Sequence, residues 1–527
     1  MRRSLVLLPL ALQPALVSCA GGSASPPPDA LEIRIASHVR ELADDRYAGR
    51  APGTRGGEAA AEYVEARLRE AGLEPAGTEG FRQPVPLRGI RTSRRTALTW
   101  HPGDGPDPTA SVAAVRAGSD DFLAGWNAPV ESAAVEGGLV FVGYGISSSA
   151  AGWDDFGQAD LRGRWAVALE GEPPGETRLS HAAAQPVSKL YAAARRGAVG
   201  LVLLSHVTEW PEPHDLAREE RILPGWGRGQ RGQPAPWVAL KGPLVAAMSG
   251  GINPWEEAVR PGFAARPLPG RLALELRQDL RRFRSSNVLA RLPGADPAVA
   301  PEHVCLSAHW DGLGRSDRAV YSGVIDNAMS VGELIEVAAL ARLQGPSRRS
   351  LLFFFPTAEE AGLMGSEYFV EHPTVPLDSI VACLNKDGSP EAWGRSLDVV
   401  AVAASAAAPF EEALRGAVEA QGLEWSPNPF PSEGFFFRSD HYSFLRAGVP
   451  GTLLFPGLAF EEREPAWGVE QAALYLKEHY HRSTDDLSRV LGWEGAAQYV
   501  RFWLETARAL ADGPGLPPGS VDLAGRK

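Results

Sequence analysis

The sequence contains only three cysteines among 527 residues, Cys19, Cys305 and Cys383, and no two of them form a CxxC pair. Such a low cysteine content excludes a fold held together mainly by disulfide bonds, so the chain must be stabilised by its own hydrophobic core. Cys305 and Cys383 lie within apolar runs and are expected to be buried thiols. Neighbouring strands could bring the two together, and the sequence leaves open whether they pair.

Positive charge is in the minority, with 52 Lys and Arg against 64 Asp and Glu. The resulting net charge of −12 argues against nucleic acid as the main partner. Residues 227–232 (GRGQRG) formally fit GxGxxG, but they follow no predicted strand and precede two prolines, so we expect no phosphate-binding loop. A GxSxG motif is also absent, which argues against a serine hydrolase.

Long apolar runs are missing after the N-terminus, so no later segment is predicted to span a membrane. A basic start followed by the apolar stretch from Leu5 to Val17 indicates a secretory signal. The stretch runs into Cys19 in a string that resembles a bacterial lipoprotein cleavage box, and Ala20 after it favours the outer membrane. We therefore expect a signal peptide over residues 1–18, a lipidated tether over 19–30, and an exported outer-membrane lipoprotein facing the periplasm or the cell exterior.

The remaining chain changes character along its length. Residues 59–71 carry an apolar face at helical spacing and predict an amphipathic helix. Short β-type runs separated by Gly and Pro follow, with a helical segment at 188–196, and together they predict a small α+β unit. Beyond residue 285 come the continuous apolar runs VCLSA, LLFFF, VACL and TLLF, which are typical of strands covered on both faces. This last region is predicted to be α/β.

Residues able to bind a metal follow these apolar runs closely. They are His309 and Asp311, then Glu359 and Glu360, then Asp387. A loop after the first run delivers Asp326, and His481 offers another imidazole near the end. In open α/β sheets, sites form at the carboxyl ends of the strands. Two imidazoles and three carboxylates, with one carboxylate bridging, suit a pair of cations such as Zn²⁺. A further carboxylate is then needed to move a proton, and the Glu-Glu doublet can supply one ligand and one base.

These residues occur in the strings SAHWDGLG, GVIDNAMSVG, PTAEEAGLMGSEYF, LNKDG, FFFRSDHYSFLRAGVP and HYHRSTDD. The strings resemble the co-catalytic zinc peptidases of metallopeptidase family 28. The resemblance implies the zinc exopeptidase fold, a mixed, mostly parallel sheet sandwiched by helices, and two Zn²⁺ ions. The ligand sets that it implies are His309, Asp326 and Asp387 for one ion, and Asp326, Glu360 and His481 for the other.

The same resemblance implies roles for residues outside the two ligand sets. Glu359 matches the general base, and Asp311 matches the acid that orients His309. Asp440 and His441 are placed on the substrate side of the cleft, so we expect them to line the pocket.

The LNKDG string departs from the family pattern at two positions. Gly388 follows the metal-ligating Asp387 where many members have a hydrophobic residue, and Lys386 precedes it. A cation beside a metal ligand should weaken metal binding unless its side chain points away. Family members also often have a cis peptide after the bridging aspartate, so we predict one at Asp326–Asn327.

The resemblance extends upstream and divides the mature chain. Residues 31–110 are expected to form the N-terminal part of the peptidase domain, and 276–515 its catalytic part. Residues 111–275, with VFVGYGI and SKLYAAARRGAVGLVLL, resemble the protease-associated (PA) domain that many members carry as an insertion.

These features predict a zinc-dependent exopeptidase, an aminopeptidase that hydrolyses N-terminal residues from peptides and is attached to the membrane by its N-terminal lipid. The alternatives within the fold are a carboxypeptidase, a dipeptidase or a glutaminyl cyclase, because fold does not fix substrate. A non-catalytic, receptor-like protein is the alternative of another class. The sequence leaves open the side-chain preference, the native metal and the oligomeric state.

Overall fold

The computed structural model describes residues 29–102, 115–116, 122–126, 128–175, 179, 181–207, 210, 220–226, 235–241, 243–249, 251–403 and 408–513. The predicted signal peptide, the lipidation site Cys19 and nearly all of the predicted tether lie outside these residues. None of the described helices combines the length and the apolar character that crossing a membrane requires.

The described helices are distributed along the whole chain. They are α1 (Ala30–Leu42), α2 (Arg55–Glu70), α3 (His181–Ala184), α4 (Pro186–Ala194), α5 (Pro243–Met248), α6 (Pro254–Ala258), α7 (Met329–Gln344), α8 (Met364–Glu371), α9 (Ala408–Ala420), α10 (His441–Arg446), α11 (Trp467–Glu478) and α12 (Glu494–Asp512). Helix α2 contains the predicted amphipathic segment, and Thr54 caps its first turn by accepting a hydrogen bond from the Gly57 N–H. The predicted helix at 188–196 corresponds to α4.

The strands fall into two large sheets and two small hairpins. They are β1 (Glu74–Pro75), β2 (Arg82–Thr92), β3 (Ala97–His101), β4 (Val115–Arg116), β5 (Phe122–Trp126), β6 (Ser132–Phe141), β7 (Ser147–Ser148), β8 (Trp153–Asp154), β9 (Arg164–Leu169), β10 (Gly200–Leu204), β11 (Arg221–Pro224), β12 (Pro236–Leu240), β13 (Arg266–Leu292), β14 (His303–Ser307), β15 (Gly314–Arg315), β16 (Val320–Tyr321), β17 (Ser350–Phe355), β18 (Ile380–Asn385), β19 (Asp398–Ala403), β20 (Glu424–Ser426) and β21 (Gly451–Pro456).

The first large sheet runs in the order β11, β2, β13, β17, β14, β18, β21, β19, β20. Its centre, from β17 through β14 and β18 to β21, is parallel, and antiparallel pairs flank it. The four apolar runs predicted as strands are these four central strands. The predicted α/β class, with a mixed sheet between helices, is confirmed.

Strand β17 shows why its sequence is apolar throughout. Leu351, Phe353 and Phe355 point into the core formed with α1, α2, α7 and α12, whereas Leu352 and Phe354 point into the core formed with α8 and α10. All five side chains are fully buried. Because successive side chains of a strand point to opposite faces, only a sheet covered on both sides makes such a run stable.

The two cysteines of the described chain lie on adjacent parallel strands of this sheet. Cys305 on β14 is directly opposite Cys383 on β18. Both are buried, and both are free thiols rather than a disulfide.

The second large sheet runs in the order β4, β3, β13, β6, β9, β10, β12, β5. Helix α4 packs on one face through Leu190 and Ala193, and a separate apolar core covers the other face. This sheet corresponds in the chain to the predicted α+β unit. Its assignment as a PA domain and the predicted domain boundaries remain predictions.

Strand β13 belongs to both large sheets, and this 27-residue strand was not foreseen in the sequence. Residues 266–277 pair with β6, and the next residues, 278–288, pair with β2. The basic run Arg281-Arg282-Phe283-Arg284 lies on this strand with its three arginines exposed. It is therefore a solvated part of a strand.

The core under α7 should dominate stability. Leu334 is fully buried, whereas Leu343, on the same helix, is 81% exposed. We expect Leu334→Ala to lower the free energy of unfolding by about 2–5 kcal/mol, because it leaves a cavity. The matched substitution Leu343→Ala should change it by less than about 0.5 kcal/mol. Urea unfolding followed by circular dichroism measures both, and equal losses would contradict the assigned core.

Candidate functional site

The carboxyl ends of the parallel strands bring the predicted metal ligands together. Strand β14 leads to His309, β17 to Glu360, β18 to Asp387, the turn Val324–Ala328 carries Asp326, and the loop after α11 carries His481. They form two groups in which the ligand atoms lie within 4.8 Å of one another, His309–Asp326–Asp387 and Asp326–Glu360–His481. His479, the nearest alternative in the sequence, instead contacts Thr484 and Arg489.

Asp326 belongs to both groups and faces both imidazoles. Its Oδ1 lies 3.3 Å from His309 Nε2, and its Oδ2 lies 3.3 Å from His481 Nε2. Asp387 Oδ1 is 3.4 Å from the first imidazole nitrogen, and Glu360 Oε2 is 3.2 Å from the second. The two oxygens of the Asp326 carboxylate therefore face the two groups separately, one oxygen toward each imidazole.

The donor atoms at His309 fit a zinc ion. Its Nδ1 contacts the Asp311 carbonyl oxygen at 3.2 Å, and a carbonyl can only accept. Nδ1 therefore carries a proton, and Nε2 is the nitrogen directed at Asp326 and Asp387, where it can exchange its own proton for a metal ion. That Nε2 is buried and has no hydrogen-bond partner among the described residues. One histidine nitrogen with two carboxylate oxygens is a donor set that Zn²⁺ accepts, with further positions left open.

The electrostatics of the metal-free site reflect its buried carboxylates. Burial alone would lower the pKa of His309, but Glu359, Asp311 and Asp326 raise it well above its usual value. In the same way burial opposes the charge of His481, while Glu360 and Asp326 raise its pKa to about 10. Burial opposes ionisation of Asp326 too, yet the two imidazoles lower its pKa. Each imidazole thus behaves as a cation held by carboxylates.

Glu359 lies beside the two groups without belonging to either. Its Oε2 is 3.8 Å from His309 Nε2, and burial raises its pKa well above the usual range. The Glu359 N–H donates to Asp311 Oδ1 at 3.1 Å. Asp311 therefore connects the loop after β14 with the loop after β17. A buried carboxylate with a raised pKa next to the two groups has the environment typical of residues that take up and release a proton during a reaction.

Asp485 fixes the backbone of Asp326, a role that its position in the sequence did not reveal. Its Oδ1 accepts from the Ile325 N–H at 3.0 Å, and its Oδ2 accepts from the Asp326 N–H and the Tyr475 hydroxyl at 3.1 Å. Burial raises the pKa of Asp485 to about 7. The following peptide bond, Asp326–Asn327, is cis as predicted.

Arg50 is a second supporting residue that the sequence analysis did not single out. Its fully buried guanidinium donates to the carbonyl oxygens of Leu42, Trp310, Ser322 and Gly323 at 2.6–3.1 Å. Trp310 follows a predicted ligand, and Gly323 precedes another. Arg50 therefore holds two ligand-bearing loops at a fixed separation.

Lys386 points away from the predicted ligands. Its Nζ lies 2.7 Å from Glu391 Oε1 and 3.1 Å from Glu333 Oε2, whereas the Asp387 carboxylate contacts His309 and Ser439. Burial and the neighbouring Glu391 raise the pKa of Glu333 well above its usual value. The expected weakening of a metal at Asp387 is therefore not supported by the geometry.

An apolar pocket opens next to Asp326 and Asp387. Its volume is about 780 Å³, including space open to solvent at its mouth. The hydrophobic lining residues come from β21, α11 and nearby turns and include Phe430, Phe435, Leu453, Phe455, Leu458 and Leu476. Arg438 and Tyr480 are polar groups in its wall, and the Arg438 guanidinium donates to the Tyr480 hydroxyl at 2.9 Å.

The expectation that Asp440 and His441 line this pocket is corrected by the structure. Both side chains are fully buried at the start of α10, and neither is among the lining residues. Helix α10 packs against the sheet, so its first residues turn inward. The preceding residues, Arg438 and Ser439, line the pocket instead, and the Ser439 hydroxyl donates to Asp387 Oδ2.

Comparison with known proteins agrees with this architecture. Residues 287–521 match the sequence profile "Peptidase family M28". A "probable leucine aminopeptidase 2" of Aspergillus oryzae is 30% identical over 221 residues, which cover 39% of this chain and 40% of that protein. A "Probable lipoprotein aminopeptidase LpqL" of Mycobacterium tuberculosis is 24% identical over 490 residues, which cover 87% of this chain and 81% of that protein.

Among solved structures, the fold is similar to that of BSAP, a zinc aminopeptidase from Bacillus subtilis. The TM-score is 0.54 at 18% identity, and the match covers 93% of this chain and 97% of that chain. At this identity the similarity concerns the fold. The chain spans less than half the length of the fungal relative that it matches.

The Asp485 contacts make a specific prediction. An amide has one acceptor oxygen, so in Asp485→Asn at least one of the three donors loses its partner. We expect this to lower the free energy of unfolding by about 1–3 kcal/mol. Asp317→Asn, at an exposed loop position, is the matched control and should have almost no effect. Denaturant unfolding measures both, and an unchanged stability of Asp485→Asn would refute the assigned role.

Proposed function

We propose that this chain, whose residues 287–521 match the profile of peptidase family M28, is a zinc-dependent aminopeptidase that removes N-terminal residues from peptides. The observation that carries the proposal is the pair of ligand groups that share Asp326, with Glu359 next to both and in neither. The names of the two relatives described above, a "probable leucine aminopeptidase 2" and a "Probable lipoprotein aminopeptidase LpqL", support the same activity.

The two ligand groups would each hold one Zn²⁺. His309, Asp326 and Asp387 would bind the first ion, and Asp326, Glu360 and His481 the second. When bound, such a pair of ions polarises the substrate carbonyl and lowers the pKa of a water molecule. Two complete groups favour two ions over the single zinc expected of a glutaminyl cyclase.

The remaining chemistry falls to residues of the chain. Glu359 accepts the proton of the attacking water at its carboxylate and returns it to the amine of the leaving peptide. Asp311 supports both His309 and Glu359. Its carbonyl oxygen contacts His309 Nδ1, and its carboxylate accepts a hydrogen bond from the Glu359 N–H. Asp485 and Arg50 keep the Asp326 loop in place.

The apolar pocket would receive the side chain of the N-terminal residue. It begins at Asp326 and Asp387, where the scissile bond must lie, and its lining is mostly aromatic and aliphatic. Burying a leucine-sized side chain there contributes about 1.5–3 kcal/mol relative to leaving it in water. The pocket therefore favours large apolar N-terminal residues.

A carboxypeptidase is the second candidate, and Arg438 is the observation that favours it. A cation in the pocket wall could bind a C-terminal carboxylate. Its guanidinium is, however, already engaged by the Tyr480 hydroxyl and by the Glu433 carbonyl oxygen at 3.2 Å. The acidic surroundings of Glu359 and Glu360 suit a free N-terminal ammonium better.

The same proposal includes the cellular setting of the protein. Lipidation at Cys19 would tether it to the outer membrane, and the name of the mycobacterial relative, a lipoprotein aminopeptidase, supports an anchored form. We also propose that residues 111–275, which supply most strands of the second sheet, are an inserted PA domain between the peptidase parts at 31–110 and 276–515. Strand β3 and the last two residues of the β13 segment extend this sheet beyond those bounds.

The role of Glu359 can be separated from metal binding. We expect Glu359→Gln to lower kcat by about 10²- to 10⁴-fold, because the amide cannot accept the proton. Zinc content, measured by elemental analysis of the dialysed protein, should equal that of the wild type. Loss of zinc together with activity would instead make Glu359 a ligand.

Two matched substitutions serve as controls for Glu359→Gln. Glu360→Gln, at the adjacent position, should lose activity and the zinc ion of the Asp326–Glu360–His481 group, because Glu360 belongs to that group. Glu464→Gln, at an exposed position, should change neither.

The substrate class can be tested with Leu-Ala-Ala, Gly-Ala-Ala and their N-acetylated and C-amidated forms. We expect cleavage that requires the free amine and tolerates the amide. The kcat/KM for the leucine peptide should exceed that for the glycine peptide by about 10- to 100-fold, which reflects burial of the side chain. Mass spectrometry of the products measures both. A requirement for the free carboxylate would replace the aminopeptidase by a carboxypeptidase.

A further inference from the structure

Lys386 is a fully buried cation that the proposed mechanism does not use. It comes directly before Asp387, and its side chain leaves the site and enters a cluster of oxygen atoms under the loop. The contacts of Nζ are Glu391 Oε1 at 2.7 Å, Ser389 Oγ at 2.8 Å, Ser330 Oγ at 3.0 Å, the Gly388 carbonyl oxygen at 3.0 Å and Glu333 Oε2 at 3.1 Å. The ammonium thus ties the end of β18 to the first turns of α7.

The backbone around Asp387 is held as well. The Lys386 N–H donates to the Ser307 carbonyl at 2.8 Å, which joins it to β14. The Asn327 side chain donates to the Lys386 carbonyl at 3.2 Å and accepts from the Gly388 N–H at 3.3 Å. The residues on both sides of Asp387 are therefore bonded to Asn327, which directly follows the bridging Asp326.

Among the residues that belong to a single ligand group, only Asp387 is flanked by these contacts. The Lys386 carbonyl and the Gly388 N–H, on either side of Asp387, are bonded to Asn327. None of the side-chain contacts of Lys386 given for the described residues involves Glu360 or His481. The charge of Lys386 is matched by Glu333 and Glu391, so the cation does not oppose a metal at Asp387. Its removal alone would leave two buried carboxylates without their partner.

We propose that Lys386 is a positioning residue that fixes Asp387 relative to Asp326 and thereby sets the zinc affinity of the His309–Asp326–Asp387 group. This inference rests on the proposed dinuclear site. Residues that support metal ligands from outside the coordination sphere typically change metal affinity by about 10- to 100-fold. The effect should be confined to this group and should leave Asp326–Glu360–His481 unchanged.

The test uses the full chain and measures Zn²⁺ affinity by competition with a chromophoric chelator. The main variant is Lys386→Met combined with Glu333→Gln and Glu391→Gln, which removes the cation without leaving buried carboxylates unpaired. It is placed in two backgrounds: His481→Ala, in which only the group containing Asp387 is intact, and His309→Ala, in which only the other group is intact. Ser330→Ala, which removes one contact of the ammonium and no charge, is a milder second variant.

We expect the triple substitution to weaken zinc binding by at least about 10-fold in the His481→Ala background and to leave it unchanged in the His309→Ala background. Ser330→Ala should give a smaller loss in the first background only, and it carries the test if the triple variant does not fold. Equal losses in both backgrounds would mean a general structural role, and no loss in either would mean no role; both outcomes overturn the inference. Failure of the wild type to bind zinc would instead refute the proposed function.

Discussion

The site depends on burying several carboxylates within a few ångströms of one another. Asp311, Asp326, Glu359, Glu360, Asp387 and Asp485 surround two imidazoles at the ends of the central strands. Buried negative charges are stable only when positive charge or donors compensate them. The carboxylates raise the pKa of His309 and His481 against the effect of burial. The two imidazoles therefore carry that positive charge when no metal ion is bound. Divalent cations would carry more positive charge into the same space.

Much of this arrangement could be predicted from the sequence, because it follows from strand geometry. Continuous apolar runs predicted strands buried on both faces, and parallel strands place their carboxyl ends at one edge. His309, Glu360 and Asp387 each follow such a run, so their proximity needed no knowledge of the loops. Asp326 and His481 lie outside the strands, so strand geometry did not place them; the resemblance to a family assigned them to the ligand sets.

The supporting contacts could not be predicted in this way. Asp485 acts on the backbone of residues 160 positions away, and Arg50 reaches carbonyls on three separate segments. Such contacts depend on how loops cross, which periodicity does not encode. The direction of Lys386 was likewise open, since the adjacent positions of an extended segment point to opposite sides. Asp440 and His441 were misplaced because the inward turn at the start of α10 has no sequence signature.

Strand β13 determines how the two large sheets can move. Arg277 is paired with Ser132 of the second sheet, and the next residue, Gln278, is paired with Thr92 of the first. No unpaired residue lies between the two ladders to serve as a hinge. Rotation of one sheet against the other would require backbone hydrogen bonds to break, whereas twisting or bending of the shared ribbon would not. The two sheets are thus mechanically continuous, and relative motion is restricted to elastic deformation of small amplitude.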